Sequence, residues 1–172
     1  MNTNKKLAAS LIFPIICLIG LTVYKAVKAA AGKKIIIPIT GYDPRDLLSG
    51  HYLTFRLDLN NDNLCDDEYY NSSPVYVCLR QSENDEINSS ISEDASEKPG
   101  CDAILMGKCE NGIFSAGVER FYIPEEYSAG LDKIIRNGVG KIVVSIDKNG
   151  KAVIKDLLIN GRPWQDYISS GN

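Results

Sequence analysis

Gly41-Tyr42-Asp43-Pro44-Arg45-Asp46-Leu47-Leu48-Ser49-Gly50-His51-Tyr52, running on into Leu53-Thr54-Phe55-Arg56-Leu57-Asp58-Leu59, is the stretch that decides the fold. Asp43-Pro44 opens a tight turn, Pro44–Leu48 has room for one helical turn, and Gly50 supplies the positive φ that ends it. From Tyr52 the hydrophobic period is two. Leu53, Phe55, Leu57 and Leu59 share one face, and Tyr52, Thr54, Arg56 and Asp58 share the other. This is the pattern of a strand with one buried side. The block Tyr42–Tyr52 therefore reads as a structural hinge that delivers the chain into a sheet.

Outward from this strand, the same reasoning predicts strands over Ile35–Thr40, Val75–Arg80, Ala103–Lys108, Ile113–Ile123, Lys141–Asp147 and Ala152–Asn160. Asp147-Lys148-Asn149-Gly150 and Glu110-Asn111-Gly112 place Asn-Gly between apolar runs, the strongest short-range signal of a hairpin. One helix is predicted from Pro124 to about Asn137. Pro124 suits its first turn, Glu125 and Glu126 face the positive end of its dipole, Lys133 and Arg136 the negative end, and Asn137-Gly138 closes it. Ser82–Pro99 is rich in Ser, Asn, Asp and Glu, with only Ile87 and Ile91 as large apolar residues, and reads as a disordered acidic loop. The expected body, residues 35–168, is mainly β: a small sandwich or partly open barrel with one short α-helix.

Upstream, no residue from Leu7 to Tyr24 is charged. At about 1.5 Å per residue such a run covers about 27 Å, close to a bilayer core of about 30 Å. The expectation is a basic tail (1–6), a transmembrane helix (7–28), a basic linker (29–34), the β body, and a polar tail (169–172). Of 19 basic residues, six lysines lie at or before Lys34, so the remainder carries 13 basic against 22 acidic side chains, a charge of −9. A body this acidic repels nucleic acid, and the partners expected are a membrane and a membrane or envelope protein. Lysines flank the apolar run on both sides, so charge alone does not orient it. Cys17 lies within that run. Cys65, Cys78, Cys101 and Cys109 form an even set suited to two disulfides in an oxidising compartment, with three pairings open.

No complete catalytic set emerges, and no cofactor, metal ligand set or specific small molecule is inferred. Asp58-Leu59-Asn60-Asn61-Asp62 resembles the start of a calcium loop, but Asn63 replaces the turn glycine and Tyr69 the bidentate glutamate. A signal-peptidase-like architecture would need a Ser-Met nucleophile, which does not occur; Ser145 near Lys141 lies in a predicted strand without an elbow. His51 has no committed partner. The segments most able to form a surface for interaction are Asp43, Arg45, Asp46, Gly50, His51 and Tyr52, meeting Glu119 and Arg120. Trp164, after the turn Gly161-Arg162-Pro163, is expected to seal the core edge.

Three blocks carry a resemblance: Gly41–Leu57, Gly117–Glu126 and Leu158–Trp164. They resemble, in order, the bacterial GDYXXLXY family of membrane-anchored proteins. In the name motif Gly50 and Tyr52 agree, whereas Phe55 stands for Leu, His51 for Asp and Leu57 for Tyr. The resemblance implies a single-pass protein of the bacterial cytoplasmic membrane whose C-terminal domain faces the periplasm or cell exterior. The anchor, the compact body and the lack of a catalytic set point to a non-enzymatic accessory or binding protein that works through protein contacts at the envelope. The alternative is a divalent-metal sensor, or a hydrolase-like enzyme degenerate from a signal-peptidase-like architecture.

Overall fold

The computed structural model describes residues 3–30, 32–41, 52–61, 64–65, 74–82, 85–96 and 99–169, with side chains at 10–24, 32–41, 52–61, 64–65, 74–82, 85–96, 99–127 and 130–169. The elements in chain order are α1 (Thr3–Ala30), β1 (Lys33–Gly41), β2 (Tyr52–Leu57), β3 (Val75–Gln81), β4 (Ile87–Ser92), β5 (Ala103–Glu110), β6 (Ile113–Ser115), β7 (Arg120–Tyr122), α2 (Glu125–Arg136), β8 (Gly140–Ile146), β9 (Ala152–Ile159), β10 (Arg162–Pro163) and α3 (Trp164–Ser169). They build a mainly β molecule of two curled sheets: a six-stranded one in the order β10-β9-β8-β1-β2-β7 and a four-stranded one in the order β4-β3-β5-β6.

Period-two alternation places the core. Ile35, Ile37 and Ile39 of β1, Leu53 and Phe55 of β2, and Ile142, Val144 and Ile146 of β8 meet Val75, Val77 and Leu79 of β3 and Leu105 of β5 in one cluster. β1 pairs with β8 from Lys33↔Ile146 to Ile39↔Gly140. On its other side it pairs with β2 only from Ile39↔Leu57 to Gly41↔Phe55. Pro38 explains why β2 stops at Leu57 and not at the expected Leu59. Its carbonyl accepts from the Asp58 N–H at 2.9 Å, but it has no N–H to return.

Two expectations are corrected by tertiary pairing. Ile113–Ile123 is two strands, because Gly117 at φ +78° turns the chain and the Ala116 N–H is held by Glu119 Oε1 at 2.6 Å. The turn passes the chain from the four-stranded sheet (β6) to the six-stranded one (β7). The acidic segment 82–99, expected to be disordered, contains β4, paired with β3 from Tyr76↔Ser92 to Gln81↔Ile87. Its polar composition hides an alternation: Ile87 is 2% exposed while Asn88 and Ser90 face out. A second short helix, α3, was not expected either; it begins at Trp164, which is buried and closes the core edge as anticipated.

Both predicted hairpins form. β8 and β9 join through a turn in which the Gly150 N–H donates to the Asp147 carbonyl at 2.9 Å. β5 and β6 join through Asn111 and Gly112, at φ 53° and 74°, the left-handed pair this kind of turn demands. Helix α2 matches its predicted span to within a residue at each end and packs Leu131 and Ile135 on β1 and β2. Cys65 bonds to Cys109 and Cys78 to Cys101, with Cα separations of 5.6 and 5.5 Å. One of the three open pairings is thereby selected.

The expected transmembrane helix at 7–28 is not carried by the described residues: among them, no helix is long and apolar enough to cross a membrane. α1 is helical over Thr3–Ala30, but its side chains are described only for 10–24.

Candidate functional site

Strand β7 brings the first two blocks of sequence together. Tyr52 pairs with Tyr122, Leu53 with Phe121, and Thr54 with Arg120. One face of this ladder turns inward: Phe121 meets the Trp164 ring edge-on at 6.5 Å, and Tyr127 tilts against the same indole at 5.9 Å. The other face is open. Tyr52 and Tyr122 meet edge to face at 5.8 Å, and the Arg120 guanidinium lies 5.1 Å from the Tyr52 ring centre. Tyr122 is 73% exposed, the largest exposure of any large hydrophobic residue described. Aromatic rings with an arginine stacked on them are the side chains that dominate binding hot spots.

Beside this face lies a cleft of about 550 Å³ between β2–β7 and β5–β6. Three cations, Arg56, Lys108 and Arg120, line it against two carboxylates, Glu110 and Glu119. Lys108 pairs with Glu110, and Glu119 is engaged by the Ala116 N–H. Gly107 makes room for the wall: a Cβ there would lie 2.5 Å from Phe114 Cζ and from the Ser115 carbonyl oxygen. Among the described lining residues, three cations thus stand against two carboxylates.

Of the residues singled out in the sequence, Tyr52 pairs with Tyr122 on the ladder, and Glu119 and Arg120 line the cleft. Asp43, Arg45, Asp46, Gly50 and His51, and with them the hinge, lie outside the described residues. Asp62, at the end of the calcium-loop-like run Asp58–Asp62, does too. Its described part is structural: Asp58 Oδ1 accepts the Asn60 N–H, Asn60 Nδ2 donates to Asn88 Oδ1, Asn61 Nδ2 donates to the Ser89 carbonyl, and Ser89 Oγ donates to the Leu59 carbonyl. Among the described residues no group of three or more His, Cys, Asp or Glu side chains is placed to hold a metal. Lys141 Nζ reaches Asp85 at 3.2 Å, so its ammonium serves an ion pair distant in sequence.

Sequence reasoning missed a polar belt that ties the two sheets together. Asp102 accepts from the Gln81 N–H at 2.9 Å and from Lys33 Nζ at 3.4 Å. Gln81 Nε2 donates to Asp85, and Gln81 Oε1 accepts from the Ile36 N–H. The Gln81 N–H, ahead of the Lys33 ammonium and against partial desolvation, holds the Asp102 carboxyl below its usual range. No local motif announces partners 69 residues apart.

The model of the GDYXXLXY protein family matches residues 14–157, most of the chain. The chain belongs to the GDYXXLXY family. No curated protein and no solved structure matches it. Within this GDYXXLXY protein the match covers β1 through most of β9, including both partners of the β2–β7 ladder. It ends just before Leu158–Trp164, so the third block of the resemblance lies beyond it.

Proposed function

We propose that this GDYXXLXY protein is a membrane-anchored accessory protein whose β domain lies outside the cytoplasmic membrane and binds another membrane or envelope protein. The observation that carries the anchor is the state of α1: Leu11, Ile12, Phe13, Ile15, Ile16, Leu18, Ile19, Leu21, Val23 and Tyr24 are all more than half exposed. Apolar side chains left exposed along a helix in this way favour a non-aqueous surrounding. Two disulfides favour an oxidising compartment for the domain. The Tyr52–Arg120–Tyr122 face supplies a contact surface, and we read the protein as a binder and not as an enzyme.

Two measurements test this. A phosphatase reporter fused after Lys34 is expected to be active, and an inactive but well-expressed fusion overturns the orientation. After mild detergent extraction a stoichiometric membrane partner is expected to copurify. Repeated recovery of the chain alone defeats the binding role.

A further inference from the structure

The backbone of β7 has a direction that its side chains conceal. The Phe55 N–H donates to the Glu119 carbonyl at 3.1 Å, which makes Phe55/Glu119 a hydrogen-bonded pair of the antiparallel ladder. Such pairs alternate with pairs whose N–H and C=O groups turn away from each other. Leu53/Phe121 therefore bonds, whereas Tyr52/Tyr122 and Thr54/Arg120 do not. The close Tyr52–Tyr122 ring contact fits that assignment, because side chains approach most closely at the non-bonded pairs. On β7 this sends the backbone N–H and C=O of Arg120 and Tyr122 outward. β7 ends the six-stranded sheet, and among the described residues no strand pairs with its outer edge.

The same two residues thus present unpaired backbone groups and exposed side chains. Arg120 makes no ion pair with a described residue, and it stands at the edge of the cleft between β2–β7 and β5–β6. The outward N–H and C=O groups of this edge are a template for another strand, and its shortness limits the pairing to a few residues. Because Arg120 has no ion pair among the described residues, the occupant it fits brings a carboxylate. A second copy of β7 pairing antiparallel in full register would set Arg120 opposite Tyr122 and offer it no carboxylate there.

We propose that β7 is a strand-addition site: an extended, acidic segment of a partner protein pairs with the outer edge of Arg120–Tyr122, packs on Tyr122 and sets a carboxylate on Arg120 at the cleft. This rests on the reading of the chain as a binding protein and names the chemistry of its partner.

The test pans the full-length chain in detergent micelles against displayed short random peptides. Enriched sequences are expected to alternate β-branched or aromatic residues with Asp or Glu, and a synthetic copy is expected to protect the Arg120 and Tyr122 amides from hydrogen exchange. Arg120→Glu should weaken that peptide about tenfold or more. Tyr122→Pro should also abolish amide-dependent binding, since it deletes an outward donor and spares the bonds to β2. N-methylation of alternate peptide amides should do the same. Failure to enrich, enriched sequences without acids, protection elsewhere, or unchanged binding to both variants would overturn the proposal. A membrane partner retained undiminished by Arg120→Glu also defeats the β7 site while leaving the broader binding role standing. Absence of any partner from the wild-type chain, with peptide docking on β7 intact, defeats only the broader role.

Discussion

At the scale of single residues, Trp164 is informative because its indole is buried while its Nε1–H has no hydrogen-bond acceptor among the described residues. A buried orphan donor costs about 1–3 kcal/mol, so the ring is kept by its packing against Phe121 and Tyr127 in spite of its nitrogen. Trp164→Phe keeps an aromatic ring and removes the orphan, and it is expected to unfold within about 1 kcal/mol of the parent. Trp164→Ala is expected to lose about 3–5 kcal/mol. Urea denaturation of the two variants checks both values. Asp102 makes a second residue-scale prediction. Its folded carboxyl titrates below the unfolded one, so its contribution is present at neutral pH and is lost as pH falls below about 4 through the folded value. Asp102→Asn should flatten the acid limb of the stability–pH curve and leave its alkaline limb unmoved. The Lys33–Asp102 pair is largely exposed, so the effect belongs mainly to the Gln81 N–H.

At the scale of elements, the β8–β9 hairpin serves as more than a connection. Asp147 Oδ1 accepts from the N–H groups of Asn149 and Lys151, each at 2.9 Å, and the Gly150 carbonyl accepts from the Met106 N–H of β5 at 2.8 Å. The turn therefore docks one sheet on the other. Gly150 has φ +81°, and a Cβ there would lie 2.9 Å from Met106 Cβ and 3.0 Å from its N. Gly161, with φ +76°, has nothing within 4 Å of the same position. Gly161→Ala should cost about 1–2 kcal/mol, the backbone penalty alone. Gly150→Ala should cost more and, unlike Gly161→Ala, should raise hydrogen exchange at the Met106 amide. Equal costs with no change at Met106 would show that the docking is slack. Asn-Gly turns were legible in the sequence because their chemistry is local. The docking was not, because Met106 lies in another strand of another sheet.

At the scale of the whole molecule, the two disulfides close loops with sequence separations of 44 and 23 residues. Each is expected to contribute about 2–4 kcal/mol, and loop entropy favours the longer by about 0.6 kcal/mol. Paired Cys→Ala variants, compared by denaturation midpoint, should show the Cys65–Cys109 pair as the costlier to lose; the reverse order would mean that the unfolded chain is not the main place where they act. The sequence by itself determined β1, β3, β5, β8 and β9, the start of β2, helix α2 and the two Asn-Gly hairpins. Each of these depends on residues within a few positions: a period of two, a turn pair, a proline start. Only the tertiary structure decided the rest. β4 emerged from an acidic run because β3 offers it a partner edge, the Ile113–Ile123 strand divided because two sheets compete for its halves, and β2 stopped early because Pro38 of its neighbour has no N–H to give. Cysteine pairing and the belt of Lys33, Asp102, Gln81, Asp85 and Lys141 depend likewise on which strands become neighbours. That choice is made by burying one shared core, so it is not written in any single segment.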